Sequence, residues 1–271
     1  MATRDWNPEL YARFAGLRLQ PALDLLARVG RLPDGPVWDL GCGAGVVGPV
    51  LRARFADRVL AGLDASAAML ARARALGCYD RLRQEDIARW AGAAASGDDD
   101  EAPGGDDAAP ALIFSNAALH WLGDHDRLLP ALARRLAPGG MLALQVPNQN
   151  AAPSHRLWHE LVADHFPGRF DPATAPGILP AAAYHRLLAP LGAVSVWETT
   201  YLQRLDPAPD GHPVRIFTQS TYARPVLAAL TPAEAEALIA AYDRTIPAHY
   251  PPEADGAVLF PFRRLFLTLA R

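Results

Sequence analysis

The chain of 271 residues carries 26 basic and 29 acidic residues, a formal net charge of -3, and is 51% hydrophobic. This size and balance suit one large globular domain, or a domain with a sizeable insertion. Every basic residue is an arginine, which excludes a lysine Schiff base and a phosphate-loop lysine. The negative balance, without a basic run, argues against a nucleic-acid surface.

The two cysteines, Cys42 and Cys78, are too few for a disulfide framework or a zinc site built from cysteines. They favour a reducing compartment. The N-terminal stretch MATRDWNPEL lacks the apolar segment of a signal peptide, and no stretch has the length and apolarity of a membrane span. We therefore expect a cytoplasmic protein that contacts neither membrane nor nucleic acid and binds no metal; its oligomeric state stays open.

The first half of the chain alternates between strand and helix patterns. Helical segments are predicted after a cap at Asp5 or Asn7, over 46–55, after the cap Ser66, and over 127–136; Pro49 fits only in a first helical turn. The strands are predicted at VWDLG (37–41), RVLAGLD (58–64), RLRQED (81–86), ALIFSN (111–116) and PGGMLALQVP (138–147). This alternation predicts an α/β fold with a doubly wound parallel sheet.

The second half departs from this alternation. Helices around 154–165 and 180–190 precede a strand, AVSVWETTYLQ, and the chain ends in a long strand, AVLFPFRRLFLTLA. Between these strands, residues 206–256 are proline-rich and helical. We therefore predict a core formed by residues 1–205 and 257–271, with a helical insertion at 206–256 that covers the substrate. Residues 91–110, with six acidic side chains, are predicted to form a flexible loop.

The stretch WDLGCGAG (38–45) fits two ligand-binding patterns at once. Asp39 is followed by glycines at alternate positions, and Gly43-x-Gly45-x-x-Gly48 matches the fingerprint of dinucleotide-binding proteins. Both patterns place a tight turn and a helix N-terminus against a ligand. Asp64 follows at about the 20-residue distance that the fingerprint expects, so spacing does not decide between the two.

Charge favours a cationic ligand for this turn. A carboxylate at Asp39 would repel a pyrophosphate by roughly 1–3 kcal/mol at an effective dielectric constant near 20. S-adenosylmethionine has no phosphate and carries a net positive charge, so Asp39 could attract its α-ammonium group. Asp64 would then accept the ribose hydroxyls, and Asp86 the adenine amino group. The alternative is that these acids and glycines only cap turns.

With WDLGCGAG, GLDASAAML and EDI in this order, the chain resembles the seven-stranded S-adenosylmethionine-dependent methyltransferases. Within them, DWNPELYARF, FSNAALHWLGDHDRLLPALARRLAPGGMLALQVP and APSHRLWHELV are similar to the trans-aconitate 2-methyltransferase family, a similarity that resumes at LGAVSVWETTY and FRRLFLTLAR. The resemblance implies strand order 3-2-1-4-5-7-6, an antiparallel seventh strand, and methylation of a carboxylate of a small di- or tricarboxylic acid to give a monomethyl ester.

The resemblance also implies the residues of the donor site. An aromatic lid would comprise Trp6, Tyr11 and Phe14, Arg18 matches a family arginine that could hold a carboxylate, and Asn116 would orient the donor. The predicted donor-binding set is Tyr11, Phe14, Arg18, Asp39, Gly41, Cys42, Gly43, Asp64, Ala65, Met69, Asp86, Ile87 and Asn116. Cys42 is more typical of a small packing residue than of a reactive one.

The acceptor is expected to need cationic anchors and no catalytic acid or base. A carboxylate acceptor is already ionised, and arginine binds spare carboxylates through two parallel hydrogen bonds. The predicted acceptor-binding residues are His120, Trp121, Arg224 and Arg264, with His120 the first candidate base if the acceptor were a phenol or an amine.

The chain departs from the family pattern where an acceptor pocket is expected. Leu202 and Gln203 replace Tyr and His, Tyr222-Ala223 replaces Gly-Leu, and Ile216-Phe217 replaces an acidic-Trp pair. Rival hypotheses are methylation of malonyl acyl-carrier protein or of another small molecule, an NAD-dependent oxidoreductase, and a non-catalytic S-adenosylmethionine binder.

Overall fold

A computed structural model describes residues 15–92, 108–175 and 177–271, and side chains from residue 19 onward within these ranges. Seven strands form one sheet: β1 (Val37–Leu40), β2 (Leu60–Asp64), β3 (Arg81–Gln84), β4 (Leu112–Asn116), β5 (Met141–Pro147), β6 (Ala193–Leu205) and β7 (Val258–Ala270).

The helices in the described ranges follow the predicted alternation in the first half and then become more frequent. They are α1 (Ala15–Leu26), α2 (Gly48–Arg54), α3 (Ala67–Ala75), α4 (Ile87–Gly92), α5 (His125–Arg135), α6 (Pro153–His165), α7 (Ala181–Leu188), α8 (Pro213–Gln219), α9 (Arg224–Ala228) and α10 (Pro232–Thr245). Short 3-10 turns are Leu119–Trp121, Pro172–Thr174, Ala189–Leu191 and Ile246–Ala248.

The sheet has the strand order β3-β2-β1-β4-β5-β7-β6. The β1–β2, β2–β3, β1–β4 and β4–β5 pairs are parallel. β7 runs antiparallel to β5: the Gly139 amide, just before β5, donates to the Arg271 carbonyl at 3.0 Å, and the Asn148 amide, just after β5, donates to the Arg263 carbonyl at 2.9 Å. The predicted fold class, including the order and the antiparallel last strand, is confirmed.

The core lies where α5 covers the sheet. All four residues of β1 are buried, as expected for a parallel strand with both faces covered. Leu128, Leu129 and Leu132 form a buried stripe on α5, whereas Arg127 is exposed. Each buried leucine contributes about 1.5–3 kcal/mol relative to exposure, so this stripe fixes α5 against the strands that carry the candidate site.

Two compact units divide the chain. The first comprises residues 1–146, 178–198 and 265–271, and the second comprises residues 147–177 and 199–264. β6 and β7 each contribute residues to both units. The second unit contains the segment 206–256 that the sequence analysis assigned to a substrate-covering insertion, together with α6.

Several local predictions can be compared with the structure. Pro49 lies in the first turn of α2, and the Ser66 hydroxyl caps α3 by accepting from the Met69 amide at 3.3 Å, so both predictions are confirmed. The predicted acidic loop at 91–110 is wrong at its first two residues, Ala91 and Gly92, because they belong to α4, and its residues 93–107 lie outside the described ranges. The predicted caps Asp5 and Asn7 also lie outside them. None of the described helices combines the length and apolar character needed to cross a bilayer.

Candidate functional site

Three acidic residues lie at or just beyond the carboxyl ends of three neighbouring parallel strands. Asp39 is the third residue of β1, Asp64 is the last residue of β2, and Asp86 comes two residues after β3. The strand register pairs Asp39 with Gly62 and Asp64 with Gln84. Because these strands are parallel, their carboxyl ends meet at one edge of the sheet, which is where open α/β sheets bind ligands.

The turn after β1 uses glycine where the backbone requires it. Gly41 and Gly43 have φ angles of 70° and 55°, in the left-handed region that favours glycine. The amides of Gly41 and Cys42 both donate to the Leu63 carbonyl, at 2.8 and 3.0 Å, which fastens the turn to β2. A Cβ at Gly41 would lie 2.2 Å from the Ala118 Cβ, whereas a Cβ at Gly43 would meet nothing within 4 Å. Gly43 therefore presents bare backbone to open space.

The other two glycines of the dinucleotide-type spacing face protein instead. A Cβ at Gly45 would lie 2.9 Å from the Leu76 side chain and 3.2 Å from the Ala73 Cα. A Cβ at Gly48 would lie 2.6 Å from the Cys78 sulfur and 2.7 Å from the Tyr79 ring. Internal packing thus accounts for both glycines, and the match to the dinucleotide fingerprint does not by itself indicate a pyrophosphate.

The Asp64 carboxylate is held by the backbone of the two turns that border the site. Its Oδ2 accepts from the Gly43 amide and its Oδ1 accepts from the Ser66 amide, each at 2.8 Å. A carboxylate can accept about four hydrogen bonds, so these two bonds are compatible with a ligand hydroxyl pair as further donors. The bond from Gly43 also links the bare backbone of the turn to the acid at the end of β2.

Asp39 is buried and bonded to a tyrosine that the sequence analysis missed. Its side chain is 1% exposed, and its Oδ2 accepts from the Tyr79 hydroxyl at 2.6 Å. Burial raises the pKa of Asp39 to about 7, the Tyr79 hydrogen bond opposes that rise, and the charge of Asp64 adds to it. The one signal for this contact in the sequence is Gly62 inside a strand, since a glycine there indicates that another group packs closely against the backbone.

The remaining predicted donor residues of this region have mixed surroundings. Asp86 is exposed and caps α4, accepting from the amides of Ala88 and Arg89 at 2.8 and 3.1 Å. This is the helix-capping role that the sequence analysis named as the alternative. Ala65 is exposed, whereas Met69, Ile87 and Cys42 are buried. Burial, followed by the charges of Asp39 and Asp64, raises the pKa of the Cys42 thiol, so it is a neutral packing residue.

The end of β4 adjoins these turns and carries three predicted residues. The Asn116 side-chain oxygen accepts from the Gln145 amide group, and the Ala117 amide donates to the Gln145 carbonyl at 2.9 Å. His120 and Trp121 lie in the 3-10 turn that follows, with ring centroids 4.9 Å apart. Both are partly buried, so they are packed against each other while part of their surface stays accessible.

Both predicted acceptor arginines belong to the second unit. Arg224 is the first residue of α9 and is partly buried. Arg264 is 3% exposed, and its guanidinium carbon lies 4.5 Å from the centroid of the Phe262 ring. Burial, followed by the charges of His159 and Arg264, lowers the pKa of His155 to about 3. His155 is therefore neutral at physiological pH.

A second feature missed from the sequence lies near Arg264. The Tyr222 ring contacts His155 and His159 of α6, with centroid distances of 4.2 and 5.4 Å. Burial raises the pKa of Tyr222 to about 12, so its hydroxyl stays protonated. No local pattern links α6 to Tyr222, because the residues are far apart in the chain. The second unit thus holds a cation beside aromatic rings and the neutral imidazole of His155.

Four predicted residues belong to the N-terminal part of the chain. Tyr11 and Phe14, like Trp6, lie outside the described residues, and Arg18 lies on α1 in the part where only the backbone is described. In the described part of the chain, no group of three His, Cys, Asp or Glu side chains could hold a metal ion.

Comparisons with known proteins bear on this site. A family model described as a methyltransferase domain matches residues 11–194. The chain is 41% identical to "Trans-aconitate 2-methyltransferase" of Azoarcus sp. (strain BH72), covering 98% of this chain and 99% of that protein. It is also 41% identical to a protein of the same name from Methylobacterium radiotolerans, covering 97% of each.

Among solved structures, the YcgJ protein from Bacillus subtilis superimposes with a TM-score of 0.56. The alignment covers 93% of this chain and 98% of that one at 14% identity. This similarity supports the fold alone.

Proposed function

Because this chain belongs to the trans-aconitate 2-methyltransferase family of S-adenosylmethionine-dependent methyltransferases, we propose that it methylates a carboxylate of a small di- or tricarboxylic acid. Trans-aconitate is the first candidate acceptor, and the product would be a monomethyl ester. The observation that carries this proposal is the extent of the similarity. The methyltransferase-domain model ends at residue 194, whereas the relatives match 97–98% of the chain and so include the second unit.

On the donor side, the residues at the edge of the sheet fit S-adenosylmethionine. We assign the ribose hydroxyls to Asp64, whose carboxylate is already oriented by two backbone amides. The bare backbone of Gly43 gives the methionyl part room to approach. Asp39 is assigned to the α-ammonium group. At 4 Å and an effective dielectric constant near 20, such an attraction amounts to about 4 kcal/mol.

The same residues would disfavour a dinucleotide. A pyrophosphate at this turn would approach the Asp39 carboxylate at the end of β1, which would repel it. In the dinucleotide fingerprint, the second glycine lets the pyrophosphate approach the backbone closely. Here that glycine is Gly45, and Ala73 and Leu76 already occupy the space beside it. A cationic ligand meets neither obstacle.

Methylation of a carboxylate requires no proton transfer by the protein. When bound, S-adenosylmethionine supplies an electrophilic methyl group on a sulfonium. A carboxylic acid has a pKa near 4, so it arrives as an anion and needs no general base. The residues of the chain then have to bind, align and exclude water, since attraction between opposite charges strengthens as water leaves.

On the acceptor side, we assign Arg264 and Arg224 to the carboxylates that do not react. A buried guanidinium binds a carboxylate more strongly than an exposed one, because water screens it less. The neutral state of His155 matters here, because a second positive charge beside Arg264 would add to its cost of burial. His120 and Trp121 are assigned to contacts with the acceptor, without a step for His120 as acid or base.

A panel of acceptors tests this function. The protein is incubated with methyl-labelled S-adenosylmethionine and, separately, with trans-aconitate, other di- and tricarboxylates, malonyl acyl-carrier protein, a phenol and an amine. Mass spectrometry is expected to show one added methyl group on trans-aconitate. Preference for the carrier protein would support the rival hypothesis, methylation of a phenol or amine would restore a role for His120 as a base, and binding of the donor with no methylated product would indicate a non-catalytic binder.

A further inference from the structure

Two glycines shape a slot for the Tyr79 ring. A Cβ at Gly48, where α2 begins, would lie 2.7 Å from two carbons of that ring, and a Cβ at Gly62, in the middle of β2, would lie 3.0 Å from its Cε1. A side chain at Gly48 would force the ring to move, and one at Gly62 would press against it. Because Gly62 is the register partner of Asp39 on β1, the slot places the ring beside that acid.

The slot aims the Tyr79 hydroxyl at the Asp39 carboxylate. The hydroxyl donates to Asp39 Oδ2 at 2.6 Å; Asp39 is buried, and Tyr79 is partly buried. The other titratable groups around Asp39 are the Asp64 carboxylate at the end of β2 and the Cys42 and Cys78 thiols, whose pKa values are raised. Both thiols are neutral, so Tyr79 supplies a hydrogen-bond donor that offsets the repulsion from Asp64.

We propose that Tyr79 is a positioning residue for the methyl donor, because its hydroxyl holds the buried Asp39 carboxylate in place to receive the α-ammonium group. The inference rests on the donor-binding role proposed for Asp39. Tyr79 touches the protein rather than the reacting atoms, and it acts through Asp39.

The hydrogen bond has a consequence for pH. Only the ionised Asp39 attracts an ammonium group, so donor affinity falls as the pH drops through the pKa of Asp39, about 7 before the ligand binds. A hydrogen bond donated to the ionised form lowers that pKa. Its removal therefore moves the loss of affinity to higher pH. If the pKa rises by about one unit, the ionised fraction at pH 7 falls from about one half to about one tenth, and affinity falls about fivefold.

The test uses Tyr79→Phe, which keeps the ring in its slot and removes only the hydroxyl. The probe is S-adenosylhomocysteine, which retains the α-ammonium group and cannot transfer a methyl group. Its Kd is measured by calorimetry between pH 5.5 and 7.5, below the pKa of about 8 of an α-amino group. We expect a Kd about fivefold higher at pH 7 and about tenfold higher at pH 5.5, because the loss of affinity begins at a higher pH in the variant. Tyr242→Phe is the matched control, since it removes a buried hydroxyl that donates to the Ser154 carbonyl, and its profile should match wild type.

Asp39→Asn separates positioning from a general effect on the fold. The amide cannot ionise, so this variant should bind more weakly and show no titration in this pH range, and adding Tyr79→Phe to it should change the Kd little further. A Tyr79→Phe variant that folds and keeps the wild-type profile, or an Asp39→Asn variant that keeps the pH dependence, would overturn the proposal. Wild-type protein that binds no S-adenosylhomocysteine would instead refute the proposed function.

Discussion

Asp64→Ala is expected to weaken donor binding more than any other single change at the sheet edge. The carboxylate is assigned to two ribose hydroxyls, and a hydrogen bond to a charged group is worth about 1.5–3 kcal/mol. Losing both would cost about 3 kcal/mol or more, which is over 100-fold in Kd. The substitution also leaves the amides of Gly43 and Ser66 without their carboxylate acceptor. We expect an additional loss of about 1–3 kcal/mol of unfolding free energy for this reason.

Asp64→Asn distinguishes the charge from the shape of the side chain. Its amide keeps one acceptor oxygen, so affinity should fall between that of wild type and that of Asp64→Ala. Calorimetric titration with S-adenosylhomocysteine measures the series, and Asp126→Asn, at an exposed position of α5, is the control that should bind like wild type. If folded Asp64→Ala binds within about threefold of wild type, a difference below 1 kcal/mol, the assignment of Asp64 to the ribose is refuted.

Three further outcomes are expected. Gly43→Ala should cost about 1–2 kcal/mol of stability, because Gly43 has a left-handed φ, and it should also weaken donor binding. Gly45→Ala should lower the melting temperature further, because its Cβ would clash with α3. If the two variants had equal melting temperatures and equal Kd values for the donor, these separate roles would be contradicted. Arg264→Met should raise the KM for trans-aconitate at least about tenfold and leave the Kd of S-adenosylhomocysteine unchanged, while Arg263→Met, beside it on β7, should keep the wild-type KM. Asp39→Asn should stabilise the ligand-free protein by about 1–3 kcal/mol at pH 8 and by less at pH 5.5. The folded-state pKa of Asp39 is raised, so the destabilisation caused by its buried carboxylate grows as the pH rises. Chemical denaturation at both pH values measures the difference, and a larger stabilisation at pH 5.5 than at pH 8 would contradict this expectation.

Much of the fold could be predicted from local sequence. The buried run VWDL, the Ser66 cap and the position of Pro49 each follow from short-range rules, because a parallel strand or a helix start imposes its own pattern over a few residues. The antiparallel direction of β7 came from the resemblance alone. β5 and β7 are separated by more than 100 residues, and no periodicity within either strand encodes which way its neighbour runs.

The parts of the site that were missed depend on contacts across the fold. Tyr79 reaches Asp39 because Gly48 and Gly62 leave space for its ring, and a single sequence shows those glycines without showing what fills the space. Asp86 was predicted as an adenine contact, and its bonds to the amides of α4 show why acids after strands are ambiguous: the same position also suits a helix cap. Tyr222 and His155 meet in the second unit across 67 residues of chain, with no pattern joining them.

The acceptor chemistry can be tested most directly on the product itself. Trans-aconitate is incubated with the protein and methyl-labelled S-adenosylmethionine, the labelled product is isolated, and it is treated with mild alkali. A carboxylate acceptor gives a methyl ester, so the label should be released as methanol. Label that stays on the product after alkali would place the methyl group on another kind of atom, and absence of labelled trans-aconitate in the presence of bound donor would contradict the proposed reaction.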